Sequence, residues 1–153
     1  MKARHVALLS IGIAGLATLS LAHAQAISFT PDQLKWTRNP ATGSEIAVVM
    51  GDPRQAGPFI LRVRYQPTTK AMPHSHPADV LVTVISGTLL YGEGEKFDQK
   101  KMKEYPAGSF FVIRANVPHY EAAKGVMEFQ AHGTGPQVFN FVDPKDDPKN
   151  RKK

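Results

Sequence analysis

The sequence predicts an all-β sandwich or barrel, and three observations carry the prediction. Runs of four to eight β-favouring residues recur along the chain, each closed by Gly or Pro: EIAVVMG, FILRVRY, DVLVTVISG, TLLYG, SFFVIR, VMEFQAH and VFNFV. FILRVRY alternates without a break, placing Phe59, Leu61, Val63 and Tyr65 on one face and Ile60, Arg62 and Arg64 on the other. Segments with helical periodicity are nearly absent, and there is no internal repeat.

The elements follow in order. The first 24 residues carry Lys2 and Arg4, an apolar stretch from Val6 to Ala22, and the small-x-small triplet Ala22-His23-Ala24. That is the build of a cleavable export signal, and it predicts a periplasmic or secreted protein without a stable membrane anchor. In residues 25–45, Thr30 and Pro31 offer a helix start good for one or two turns. The β segments occupy residues 46–142, and VLVTVI, apolar on both faces, suits a central strand. FDQKKMKEY reads equally as a short helix or as a charged loop. Residues 143–153, DPKDDPKNRKK, cannot build a core and predict a solvated tail without regular structure.

A chain of 153 residues with 42% hydrophobic and 21% charged residues supports one core. The formal net charge is +6, but it is concentrated in the signal and the tail, with no groove-reading helix or interleaved aromatics that would point to nucleic acid. With no cysteine, an exported chain must be held by its core, and any metal must be bound through nitrogen and oxygen. The chain also has no GxSxG elbow and no phosphate-cradling glycine loop, which removes the common nucleophilic and nucleotide-binding chemistries.

The histidines are what remain. His5 and His23 fall in the signal, leaving His74, His76, His119 and His132. In extended chain, residues i and i+2 share a face, so His74 and His76 can point into one cavity. His119 follows a Pro-led turn at the start of a strand, where an antiparallel neighbour could bring it opposite the pair. Three neutral imidazoles with open positions make a working metal site, and the competing reading is exposed loop histidines. In VMEFQAHG, Glu128, Gln130 and His132 share one face, either a polar outer surface or a pocket lining. In the second case His132 is the candidate proton carrier, Gln130 lines the pocket, and Glu128 supplies a carboxylate.

PHSHPADVLVTVISGTL followed by YPAGSFFVIRANVPHY resembles the two motifs of the cupins. The first motif there has paired histidines, a glutamate and a glycine; the second has PxG, a strand and a histidine. His74, His76 and Gly87 match the first, and Pro106, Gly108 and His119 match the second. The likeness runs from about Ile46 to Val142 and is strongest to small exported single-domain bacterial cupins. It implies a small jelly-roll β-barrel (double-stranded β-helix) holding a divalent metal on His74, His76 and His119, and members of this kind resemble homodimers. The family's glutamate falls on Val80; Asp79, next to it, would serve only if a bulge shifted the register. Three imidazoles without a carboxylate suit Zn, Cu or Ni, with Fe less secure. The function so implied is a metal-dependent enzyme, dioxygenase-like or of related chemistry, on a small oxygenated or anionic molecule; the alternative is a ligand-binding or sensing module without catalysis.

Overall fold

The computed structural model describes residues 26 to 150, so the proposed export signal lies outside the described residues. The architecture is all-β, with nine strands: β1 (Thr37–Arg38), β2 (Glu45–Met50), β3 (Gly57–Tyr65), β4 (Lys70–Ser75), β5 (Val80–Glu93), β6 (Lys103–Pro106), β7 (Phe110–Ile113), β8 (His119–Gly135) and β9 (Asn140–Phe141). No α-helix occurs among the described residues, only short 3₁₀ turns. One of these, Pro31–Gln33, sits at the predicted start, where the Gln33 side chain reaches back to accept from the Thr30 N–H.

Every pairing is antiparallel, and two long strands make the barrel. The C-terminal half of β8 lies between β3 and the N-terminal half of β5; its N-terminal half lies between β4 and the C-terminal half of β5. β5 and β8 therefore pass from one sheet layer to the other, and both bend on the way. The predicted strands DVLVTVISG and TLLYG are one bent strand because Gly87, at φ +70°, turns the corner. A Cβ there would lie 2.5 Å from the Val126 carbonyl oxygen, so only glycine fits, which is the physical content of the motif's glycine.

The core sits between the layers. Phe59, Leu61, Val63 and Tyr65 of β3 all face it, as their alternation predicts, and meet Val80, Val82, Val84 and Leu89 of β5 and Met127, Phe129 and Ala131 of β8. Sequence and structure differ at three places. FDQKKMKEY forms a single 3₁₀ turn at Gln99–Lys101 and then strand β6, because Tyr105 packs inward against Tyr91 and Phe111. The tail predicted to lack structure folds into turns at Pro144–Asp146 and Pro148–Asn150, each preceded by an aspartate that accepts from the backbone two residues on. KAMPHS, which carries the first histidines, is a strand despite Pro73. Its pairing with β8 shifts register between Ala71 and His74, and the proline sits in that irregularity.

Candidate metal centre

Three elements bring the histidines together. In β4, His74 stands directly opposite His119 of β8. His76 lies two residues further on, just beyond the strand end, and its side chain returns to the same point. Ring centroids are 4.3 Å apart for His74 and His119, 4.9 Å for His74 and His76, and 5.2 Å for His76 and His119. One ring nitrogen from each lies within 4.8 Å of the other two. All three side chains are sealed from solvent, with relative exposures of 1%, 4% and 0% for His74, His76 and His119.

Their outer nitrogens are all tied to backbone carbonyls. His74 Nδ1 meets the Met72 oxygen at 2.8 Å, His76 Nδ1 the Val138 oxygen at 2.7 Å, and His119 Nδ1 the Val117 oxygen at 3.0 Å. A carbonyl can only accept, so each Nδ1 carries the proton and each Nε2 is left with its lone pair. His119 Nε2 is buried and has no hydrogen-bond partner, the only such side-chain atom among the described residues. A fixed tautomer, converging lone pairs and an orphaned acceptor are what a metal ligand set requires, and three neutral nitrogens fit a divalent ion such as Zn, Cu, Ni or Fe. Burial also pushes all three pKa values down, His74 to about 2 with its two neighbours adding to the effect, so protons do not compete for the site near neutrality.

The same burial makes the metal-free protein acid-sensitive. A histidine whose folded pKa lies below its unfolded value contributes full stability above about pH 6.5 and loses it as pH falls toward the folded value, by up to about 1.4 kcal/mol per pH unit for each group. Buried Glu121, whose pKa is raised by burial, works in the opposite sense and offsets part of this loss. Chelated protein is expected to lose thermal stability steadily between pH 6.5 and pH 4. A flat melting temperature over that range would contradict the neutral, buried triad.

Phe139 walls the centre, stacking on His74 at 4.6 Å and meeting His76 edge-on at 4.8 Å. On the far side Tyr91 stacks on His119 at 5.7 Å. A cavity of about 620 Å³ opens from His74 and His76 between walls of Ile46, Val63, Phe129 and Phe139, a size that accommodates a drug-sized molecule.

Three expected site residues lie elsewhere. Glu128, Gln130 and His132 share a face, but it is the outer one, because Met127, Phe129 and Ala131 fill the core. There Arg62 holds Glu128 at 2.8 Å and Gln130 at 2.8 Å, Arg64 holds Glu128 at 3.3 Å, and Gln130 bonds His132 Nε2 at 2.7 Å. His132 is therefore not the proton carrier of this cavity, and Glu128 and Gln130 do not reach it. Asp79 does not substitute for the missing glutamate either: it pairs with Arg114 at 2.8 Å and accepts from the Ala115 N–H at 2.7 Å. Val80 is buried in the cavity wall.

The carboxylate that does face the cavity is Glu121, which the sequence reading passed over. It follows His119 by two residues on the same strand face, the spacing that links His74 to His76. It is 5% exposed, and Tyr65 Oη donates to its Oε2 at 2.6 Å.

Residues 61–132 match the family model of the cupin domain. The chain carries a cupin domain. No curated protein sequence matches this cupin. Solved structures resemble it in fold at low identity. The polyketide cyclase RemF from Streptomyces resistomycificus is 17% identical with a TM-score of 0.67, over 81% of this chain and 90% of that one. A proposed acetylacetone dioxygenase from Methylibium petroleiphilum is 18% identical with a TM-score of 0.59, over 84% and 90%. KdgF from Halomonas sp. is 17% identical with a TM-score of 0.54, over 70% and 94%.

Proposed function

We propose that this cupin is an exported metal-dependent enzyme in which His74, His76 and His119 hold a divalent transition ion and the apolar cavity beside them takes a small oxygenated molecule. The observation that carries the reading is the set of three Nδ1–carbonyl bonds, which aim three unprotonated nitrogens at one point and leave His119 Nε2 without a partner. A bound ion would supply Lewis acidity with coordination positions to spare. The chain's own part is to fix the rings through the Met72, Val117 and Val138 carbonyls, to pack Phe139 over two of them, and to line the cavity with largely apolar side chains. Polyketides and acetylacetone, named for two of the structural neighbours, are oxygenated organic molecules, which agrees with this substrate class.

One observation favours a second reading, a binding module without catalysis: Val80 fills the place of the first motif's glutamate and extends the apolar wall, and a pocket alone suffices for binding.

Elemental analysis of protein purified from the export compartment tests the metal centre. About one divalent ion per chain is expected in the wild type and close to none in His76→Ala. Equal metal in both would refute the site, and none in either would favour the binding module. N-terminal sequencing of the same sample is expected to begin at Gln25; a retained Met1 would remove the export assignment.

A further inference from the structure

We propose that Glu121, braced by Tyr65, is the ligand-orienting group of the cavity, and that it selects a neutral, largely apolar molecule carrying a donor hydroxyl. That the bound molecule is a substrate rests on the metal-enzyme reading; that it is held at Glu121 does not.

Glu121 is an anomaly among the acids of this fold. Glu128 pairs with Arg62 and Arg64, Asp79 with Arg114, and Glu104 with Lys124, whereas Glu121 has no cation partner among the described residues. It is nonetheless buried, at 5% exposure, and lines the same cavity as Val63, Val82 and Phe129. Burying a carboxylate without a counter-charge costs stability that an apolar residue of similar volume would not. Its only hydrogen bond comes from Tyr65 Oη to Oε2, at 2.6 Å. Oε1 has no partner, yet it is not sealed in the protein, since His119 Nε2 is the sole sealed unpaired side-chain atom among the described residues. Oε1 therefore opens onto the cavity that Glu121 lines.

The chemistry of the ligand follows. Tyr65 spends its hydrogen on Oε2, so Glu121 as the carboxylate presents Oε1 inward as an acceptor. The neighbouring walls are apolar, so a charged guest would give up its hydration there without replacement. An apolar body with one hydroxyl satisfies both, and a site built to receive a hydroxyl hydrogen discriminates strongly against an analogue that lacks it.

Equilibrium binding of 2-naphthol and its methyl ether, 2-methoxynaphthalene, tests this on the metal-loaded protein, with metal content measured on every sample. The wild type is expected to prefer the naphthol by about tenfold or more. In Glu121→Gln the Tyr65 hydroxyl keeps the amide oxygen, the amide NH₂ turns to the cavity, and the preference is expected to vanish or reverse while metal content stays unchanged. Equal wild-type binding of the two probes, binding of neither, or a naphthol preference that survives in Glu121→Gln would overturn the assignment. The wild-type comparison stands without any variant. A wild type that prefers the naphthol but holds no metal would leave Glu121's role intact and refute the metal centre alone.

Discussion

His119→Leu is expected to lower affinity for a divalent ion by more than about a hundredfold while leaving the barrel folded. His119 stands opposite His74 in the sheet, and its Nε2 has no hydrogen-bond partner in the protein. Leucine has nearly the right volume to keep contact with Tyr91, so little packing is lost. The stability terms nearly cancel in the metal-free state. Removing an unpartnered buried acceptor gains about 1–3 kcal/mol, and leaving the Val117 carbonyl without its donor costs a similar amount. Added ion should raise the melting temperature of the wild type, by the equivalent of about 2.7 kcal/mol at a hundredfold excess over its dissociation constant, and leave the variant's unmoved. A variant that melts later on adding the same ion would show that the imidazole of His119 is not a ligand.

Much of this site was legible in the sequence because a β-strand has an integral period. The i, i+2 relation places His74 with His76, and the alternation of FILRVRY fixes which face of β3 is the core. The same period shows that Glu128, Gln130 and His132 travel together but is silent on which way they face. That is decided by the partners: β8 pairs residue for residue with β3, so the face carrying Gln130 also carries Arg62, and the guanidinium belongs in water. Glu121 was missed for a related reason. Acids are rarely buried unless paired, so a glutamate in HYEAAK reads as solvent-facing, although its parity with His119 already put it inside. The contribution of Val138 and Phe139 is not a sequence signal at all. Their effect on His74 and His76 comes from the return of the chain to β4 through β9, where Phe141 lies opposite His74.

Val80→Glu is expected to make folding stability depend on metal. Val80 is 4% exposed, stands opposite Ile113 of β7, and shares the cavity wall with His74 and His76. With no ion present, the new carboxylate would face apolar neighbours and three imidazoles that burial keeps neutral, so the metal-free variant should be destabilised by about 3–5 kcal/mol. A divalent ion on the triad reverses the balance, because the carboxylate then has a counter-charge and the oxygen donor that the first cupin motif supplies elsewhere. The variant should bind the ion at least about tenfold more tightly than the wild type and show a correspondingly larger thermal shift. Melting curves with and without chelator check both halves; a destabilised variant that added metal does not rescue would show that position 80 does not address the centre. The comparison also bears on what valine does in the natural chain. Three neutral ligands leave a bound ion its whole charge, and a glutamate would cancel one unit of it. With an ion bound, the valine would therefore leave the centre a stronger electrostatic partner for a ligand's oxygen, in a cavity where Glu121, on the proposed role, would take that ligand's hydrogen.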